Sequence, residues 1–506
     1  MIVLDGNSLD LNTFIQVARF KEEISISEES KKLVLKASQF VEEVVNSGKI
    51  VYGINTGFGK LSDVPIKKEN VGKLQKNLLM SHACGVGEPF SNEIVRGMMV
   101  LRINALIKGY SGVRLETLEI LLEMLNKNVT PIVFEKGSLG ASGDLAPLAH
   151  MSLPIIGLGE VYYQNKRMDS KDAFIKAEIT PLNKLEAKEG LSLINGTQAM
   201  TSVGAIVLYD AFQLAKISNI ALSLTMESLN GIIDAFDERV HLVRGHSGQI
   251  AAAKEIKEYL KGSKNITLQG ELRTQDAYSI RCAPQVHGAV LDTLEFVKEK
   301  VEIEMNAVTD NPVLFIDDKI AISAGNFHGE PLAMPFDYLG IAISEMANIS
   351  ERRLERMVNP ALSNGLPAFL IKGSGMNSGF MIVQYSSASL VSENKVLSHP
   401  ASVDSIPSSA NQEDHVSMGT IAARKAGSIL TNATQVIAME IFTACQAIDL
   451  RGNQGLGKKT KRAYNKIREY IPFIESDEIM YHHIHTANDL IENGELFEYI
   501  FKEEKE

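Results

Sequence analysis

Residues 199–230 read AMTSVGAIVLYDAFQLAKISNIALSLTMESLN and carry a helical pattern that contains the most apolar long stretch of the chain, residues 205–229. Their length and apolar character on every face predict a long helix that is buried in a bundle or in a subunit interface. The charges of Asp210, Lys216 and Glu227 are too many for a membrane span, so we expect no membrane partner. This stretch makes a mostly α-helical fold the primary prediction.

Further helical patterns cover residues 286–305, 331–357, 379–396 and 414–448. Ser25 and Glu28 form a capping-box pattern that predicts a helix start, and Gly48 predicts the end of that helix. Strand signals are few: residues 161–163 turn at Gln164 and Asn165, and residues 313–316 turn into 320–322. We therefore predict a long central helix bundle with a few short strands.

The predicted bundle has a soft boundary near residue 200. Residues 1–200 form a loop-rich N-terminal region, and residues 201–506 form the long helices and the C-terminal region, within one continuous structural unit. The last stretch, residues 501–506 (FKEEKE), is predicted to be a solvated charged tail.

Composition excludes several classes of protein. The chain has 506 residues, of which 45% are hydrophobic, so it can bury a large core. Its net charge of −11 and the lack of a basic block argue against a nucleic-acid partner. Cys84, Cys282 and Cys445 are odd in number and far apart, which is typical of reduced thiols. With no secretory signal at residues 1–7, these features predict a cytoplasmic protein.

Residues 137–147 read GSLGASGDLAP and carry the most distinctive chemistry. A hydrolase nucleophile elbow needs glycine two positions after its serine, but Asp144 stands there. A dinucleotide fingerprint fails too, because the glycine spacing is wrong and no strand is predicted before it. From residue types alone, a flexible turn is an equally good interpretation.

This segment resembles the hallmark motif of the histidine and phenylalanine ammonia-lyase family, and the similarity extends along nearly the whole chain. The resemblance implies that the Gly143 amide nitrogen attacks the Ala141 carbonyl, and that water is lost from the ring and from the Ser142 side chain. The product is 4-methylidene-imidazol-5-one (MIO), an electrophile made from the backbone. Elimination from an amino acid needs such an electron sink, so no metal and no pyridoxal phosphate are expected.

Three other segments match family positions. Residues 52–59 (YGINTGFG) resemble a mobile catalytic loop, in which Tyr52 transfers a proton and needs neighbours that lower its phenol pKa. Asn195 matches the residue that hydrogen-bonds the MIO oxygen, and Phe327 matches a residue that packs near the electrophile. Read without the resemblance, Tyr52 is a core tyrosine, and Asn195 with Gly196 is a turn.

Gln275, Tyr278 and Arg281 follow one another at three-residue steps, so a helical or near-helical segment would place them on one side. In that arrangement Arg281 would bind the substrate carboxylate with its guanidinium fork. The resemblance implies Tyr278 as the base for the β-proton, and Glu413 is the alternative base in our hypothesis. A lone arginine is more often part of a surface ion pair.

Two positions bear on the substrate. His82, after Ser81, and Glu413 resemble the histidine-specific members of the family. Together they offer polar partners for an imidazole, and a hydrocarbon ring would leave these groups unpaired at about 1–3 kcal/mol each. The expected reaction is the elimination of ammonia from L-histidine to give trans-urocanate.

Several alternatives stay open. A tyrosine or phenylalanine ammonia-lyase or a 2,3-aminomutase would share the electrophile, whereas a catalytically inactive scaffold or a serine hydrolase would not use it. His482, His483 and His485 suggest a metal site, but a solvated histidine cluster is the favoured interpretation. The resemblance also implies a homotetramer whose active sites are shared between chains.

Overall fold

The computed structural model describes residues 1–373 and 375–502, so the predicted tail lies outside the described residues beyond residue 502. The predicted mostly helical fold is confirmed. The α-helices are α1 (Leu11–Ala18), α2 (Glu28–Ser47), α3 (Lys68–His82), α4 (Asn92–Leu106), α5 (Leu115–Asn126), α6 (Leu145–Ser152), α7 (Ser170–Ala177), α8 (Glu189–Ile194), α9 (Gln198–Leu229), α10 (Glu238–Leu242), α11 (Ser247–Tyr259), α12 (Tyr278–Arg281), α13 (Ala283–Met305), α14 (Glu330–Val358), α15 (Met381–Leu397), α16 (Gly419–Arg451), α17 (Lys458–Tyr470), α18 (Met480–Glu492) and α19 (Glu495–Phe501).

The long helices agree closely with the predicted ranges, because their apolar periodicity is uninterrupted. Among the described residues, α9 is the one helix long and apolar enough to cross a membrane, and 72% of its most apolar window is buried inside the protein. The helix predicted from residue 414 begins only at Gly419. Met418 before it has a φ of 55°, which an α-helix cannot continue.

The start of α2 differs from the prediction. Ile24–Ile26 form a short strand, and the helix is capped by Ser27, whose side chain accepts a hydrogen bond from the Ser30 amide. The expected cap at Ser25 was therefore wrong, because Ser25 pairs with Val3 in a parallel ladder. The predicted end is confirmed, since Gly48 terminates the helix in a left-handed conformation.

The strands are short. They are β1 (Ile2–Leu4), β2 (Ile24–Ile26), β3 (Val86–Pro89), β4 (Thr130–Pro131), β5 (Phe134–Lys136), β6 (Glu160–Tyr163), β7 (Lys166–Asp169), β8 (Val313–Phe315) and β9 (Ile320–Ile322). β1 and β2 are parallel, β3 pairs with β5, β6 lies between β4 and β7 and pairs with both, and β8 pairs with β9. Both predicted hairpins are confirmed, and Gln164 and Asn165 turn the first with positive φ angles.

The contacts of the chain define two compact units, each built from three segments. Unit 1 comprises residues 1–206, 298–337 and 400–424, and unit 2 comprises residues 207–297, 338–399 and 425–506. The division of the sequence near residue 200 into a loop-rich and a long-helix region stays a prediction.

Helix α4 lies at the centre of unit 1, where its residues from Val95 to Leu106 are all buried. It packs against α1, whose Phe14 and Ile15 are completely buried, and against α5. The hydrophobic effect of this burial fixes α4 as the scaffold of unit 1. Arg96 and Arg102 lie within this buried stretch.

Unit 2 contains a buried polar network. Arg353 donates from Nε and Nη2 to the two carboxylate oxygens of Glu440, at 2.6 and 2.7 Å, and both side chains are fully buried. Ser350 and Thr225 also donate to Glu440. The Glu440 charge is thus both paired and hydrogen-bonded, as a buried carboxylate requires.

Candidate active site

A cavity of about 890 Å³ opens in unit 1. Six of the side chains that the sequence singled out line it together: Tyr52, His82, Ser142, Asn195, Phe327 and Glu413. Unit 1 therefore collects these residues in one concave site, which is the usual form of a small-molecule site.

The Ser142 loop connects β5 to α6 and lies against the turn after α8. Gly143 forms a parallel bridge with Gly196, and the Asp144 amide donates to the Gly196 carbonyl at 2.7 Å. Gly143 has a φ of 72°, and a Cβ there would collide with the Gly196 carbonyl. Only glycine both adopts this positive φ readily and lacks a Cβ, so the local packing explains why a glycine follows Ser142.

The buried side chain of Asp144 holds this loop in place through hydrogen bonds. Its carboxylate accepts hydrogen bonds from Ser138 Oγ and the Met200 amide, both at 2.8 Å, and from Thr420 Oγ1. Burial raises the pKa of this carboxyl group, and these hydrogen bonds lower it. Asp144 thus ties the loop to the start of α9 and to α16.

Two side chains contact Ser142 from opposite parts of the sequence. Asn195 Nδ2 donates to the Ser142 carbonyl oxygen at 3.0 Å, and Ser142 Oγ donates to Glu413 Oε1 at 3.2 Å. The second oxygen of Glu413 accepts from Ser408 Oγ at 3.2 Å. The site therefore offers an amide donor at the carbonyl and a carboxylate at the hydroxyl.

His82 ends α3 at the cavity wall, where its Nδ1 lies 3.0 Å from Ser81 Oγ. Burial lowers the pKa of this imidazole, while a backbone hydrogen bond and the charge of Glu413 raise it. Since the net shift is downward, His82 is neutral at pH 7 and presents one donor and one acceptor nitrogen.

The environment of Tyr52 differs from the expectation. The sequence-based mechanism needs neighbours that lower its phenol pKa, whereas burial raises this pKa and the charges of Glu413 and Asp310 raise it further. A hydrogen bond to the Gly59 backbone acts in the opposite direction but does not reverse the shift. Tyr52 in this chain is therefore protonated at pH 7.

Gln275, Tyr278 and Arg281 belong to unit 2. The predicted common helix is only partly present, since α12 covers Tyr278–Arg281 and Gln275 precedes it. Arg281 lies over the Tyr278 ring at 4.6 Å, and its Nε donates to the Asp276 carbonyl. The Tyr278 side chain is 71% exposed, so it is available to a ligand or to another chain.

The sequence did not single out a buried charged cluster next to Asn195. Lys188 Nζ donates to Asp310 Oδ2 at 2.6 Å, and Arg102 donates to the Asn195 carbonyl at 3.0 Å. All three charged groups are almost completely buried. The available signal was that three polar residues, Arg96, Arg102 and Asn104, interrupt a largely apolar stretch of α4.

The histidine-rich segment lies on α18. His483 Nε2 is 3.1 Å from Glu478 Oε1, which accounts for one of the three histidines. Within residues 1–373 and 375–502, no group of three or more His, Cys, Asp or Glu side chains is placed to hold a metal ion.

Comparison with known proteins agrees with this geometry. Residues 9–469 match the family model for aromatic amino acid lyases. Histidine ammonia-lyase 1 of Fusobacterium nucleatum is 57% identical over 99% of this chain and 97% of its own length.

Two solved structures have the same fold. Histidine ammonia-lyase from Trypanosoma cruzi superposes with a TM-score of 0.91 at 40% identity, covering 99% of this chain and 94% of that one. Tyrosine aminomutase from Streptomyces globisporus superposes with a TM-score of 0.96 at 34% identity, covering 100% and 99%. The chain belongs to the aromatic amino acid lyase family.

Proposed function

We propose that this protein eliminates ammonia from L-histidine to give trans-urocanate. The observation that carries this proposal is the convergence of His82, Ser142, Asn195 and Glu413 in one cavity. The high identity to proteins named histidine ammonia-lyase over nearly the whole chain supports the same reaction.

The proposed electrophile is MIO, formed by Ala141, Ser142 and Gly143. A bond forms between the Gly143 nitrogen and the Ala141 carbonyl carbon, the Ala141 oxygen leaves as water, and the Ser142 hydroxyl leaves as a second water. The residues fit this group, because Gly143 adopts the turn and Asn195 already donates to the Ser142 carbonyl. MIO supplies the electron sink for elimination that no ordinary side chain offers.

The other site residues of unit 1 have separate roles in the proposed reaction. Asn195 stabilises negative charge on the Ser142 carbonyl oxygen. His82 and Glu413 hydrogen-bond the substrate imidazole, Phe327 packs against the reacting group, and Tyr52 holds a proton in the cavity. Neutral His82 beside anionic Glu413 suits a ring that carries both a donor and an acceptor nitrogen.

We assign Gln275, Tyr278 and Arg281 to the substrate site of a neighbouring subunit in a homotetramer. Exposed Tyr278 and Gln275 support this assignment, because an assembly would cover them. Arg281 binds the substrate carboxylate with two parallel hydrogen bonds, and either Tyr278 or Glu413 removes the β-proton. We expect a cytoplasmic enzyme that uses no metal, pyridoxal phosphate, nucleic acid or membrane.

Incubation of purified protein with L-histidine, L-tyrosine and L-phenylalanine in parallel tests the proposal. Urocanate absorbance should rise with histidine alone. Product only from an aromatic substrate would keep the electrophile and overturn the roles of His82 and Glu413, and no product from any of the three would point to an inactive scaffold.

Ser142→Ala is the matched variant. It should stay folded by circular dichroism and lose turnover, because its side chain has no hydroxyl to eliminate. Full activity of Ser142→Ala would refute the mechanism.

A further inference from the structure

The hydrogen bonds that the Arg102 side chain donates all go to one short segment of the chain. Nη1 donates to the Asn195 carbonyl at 3.0 Å and to Gln198 Oε1 at 2.8 Å, and Nη2 donates to the Ser192 carbonyl. These acceptors extend from Ser192 in the last turn of α8 to Gln198, the first residue of α9. The guanidinium therefore braces the turn that carries the Asn195 side chain.

The burial of this guanidinium is costly. Arg102 is fully buried, and burial lowers its pKa to about 10, so it keeps its charge at pH 7. Within the described residues no carboxylate is hydrogen-bonded to it, and its Nε has no partner. An apolar side chain would avoid this desolvation cost, but it would leave the Ser192 and Asn195 carbonyls without their donor. The arginine is therefore placed to hold this turn together.

The braced turn is bonded directly to the reacting loop. Asn195 Nδ2 donates to the Ser142 carbonyl oxygen, and the Gly196 carbonyl accepts from the Asp144 amide. A small shift of the turn would misdirect the Asn195 amide, because a hydrogen bond weakens steeply with distance and angle.

We propose that Arg102 is a positioning residue for the lyase reaction. Through its hydrogen bonds to the turn between α8 and α9, it keeps the Asn195 side-chain amide in hydrogen-bonding position to the Ser142 carbonyl oxygen. This inference rests on the proposed function. It adds a residue that touches neither substrate nor electrophile and acts through Asn195.

Charges of both signs lie around this turn. Lys188 pairs with Asp310, and two carboxylates accept hydrogen bonds from the residues that follow Asn195: Glu304 from Thr197 Oγ1 and Asp144 from the Met200 amide. Arg102 thus acts on Asn195 through its hydrogen bonds to the turn.

Arg96 provides a matched control on the same helix. It is also buried, its pKa is also lowered to about 10 by burial, and it also donates to backbone carbonyls, those of Val17, Ala18 and Leu125. Its partners are remote from the Ser142 loop. Arg96→Met should therefore destabilise the fold as Arg102→Met does, without a specific effect on the reaction.

The experiment compares Arg102→Met, Arg102→Lys and Arg96→Met in the full-length protein. Three quantities are measured: kcat and KM for L-histidine, the thermal midpoint, and the mass of the proteolytic peptide that contains Ser142. Ring closure lowers this mass by two water molecules. Arg102→Lys keeps the positive charge but lacks the planar guanidinium that donates to several acceptors at once. It provides a folded variant if Arg102→Met is insoluble.

We expect both Arg102 variants to lower kcat or the ring-closed fraction of the peptide by at least about tenfold, and by no more than the roughly 10²–10³-fold cost of removing such a donor outright. KM should change by less than about threefold, because no substrate contact is removed. Arg96→Met should keep kcat and complete ring closure. If Arg102→Met behaves as Arg96→Met does, with only a lower thermal midpoint, Arg102 is structural and the inference is wrong.

A double variant separates this inference from the proposed function. In the Asn195→Ala background, Arg102→Met should cost less than about twofold more, because the two residues act on one hydrogen bond. A full additional loss would show that Arg102 acts independently of Asn195. A wild-type peptide without ring closure would refute the proposed function itself, whatever the variants do.

Discussion

Replacement of Asp310 by Asn should destabilise unit 1 strongly. The Asp310 carboxylate accepts from Lys188 Nζ at 2.6 Å and from Ser192 Oγ at 3.0 Å, and the side chains of the ion pair are 0% and 2% exposed. Removal of one partner of such a pair leaves the other buried and unpaired, which costs about 3–5 kcal/mol. Asn has nearly the same shape, so the loss reports charge rather than packing.

This cost should depend on pH in a defined direction. Burial already lowers the pKa of Lys188, and Asp310 opposes this shift, so the pKa falls further in Asp310→Asn. A lysine whose folded-state pKa is depressed binds fewer protons than in the unfolded chain, so stability rises with pH up to the unfolded pKa of about 10.4. The penalty should shrink by up to about 1.4 kcal/mol per pH unit between the folded-state pKa of Lys188 in the variant and its higher value in wild type, because above the latter both chains gain stability equally.

Urea titrations of wild type and Asp310→Asn at about pH 7 and about pH 9.5 measure both effects. Glu123→Gln removes a half-exposed ion pair with Lys127 and should change the free energy of unfolding by less than about 1 kcal/mol. A cost of Asp310→Asn below about 1 kcal/mol, or one that is larger at about pH 9.5 than at about pH 7, would refute this account of the buried cluster.

Two further predictions test other charged groups. Glu413→Gln removes a charge that raises the pKa values of Tyr52 and His82, so both should fall; the limb of the pH–rate profile that disappears in Tyr52→Phe should move to lower pH, and an unmoved limb would contradict the electrostatics. Arg353→Met leaves Glu440 buried without its counter-charge and should cost about 3–5 kcal/mol in urea unfolding, whereas Arg353→Met with Glu440→Leu should recover most of it. A double variant no more stable than Arg353→Met would contradict this reading.

The sequence predicted the fold wherever local pattern decides it. The limits of α9 follow from continuous apolar periodicity, and the end of α2 follows from the left-handed preference of Gly48. The start of α2 did not follow, because strand pairing of Ser25 with Val3 overrides the capping pattern. Local signals are thus reliable until a distant segment competes for the same backbone groups.

The site was less accessible to local pattern. Ser142 and Glu413 are 271 residues apart, and only the family resemblance brought them together before the fold was known. The raised pKa of Tyr52 depends on its burial, and the role of Arg102 depends on which carbonyls it reaches. Neither property is encoded in spacing along the chain, because both arise from tertiary packing.

The order in which the loop acquires its partners has a consequence for synthesis on the ribosome. Asn195 follows Ser142 by 53 residues, but Glu413 and Thr420, which bond Ser142 and Asp144, come from the start of the last long helix and the segment before it. A nascent chain still lacking that region holds Ala141, Ser142 and Gly143 without the Glu413 contact and without the hydrogen bond from Thr420 to Asp144. If the proposed ring closure needs both contacts, the electrophile forms only after most of the polypeptide has emerged, and arrested or truncated chains carry no reactive group.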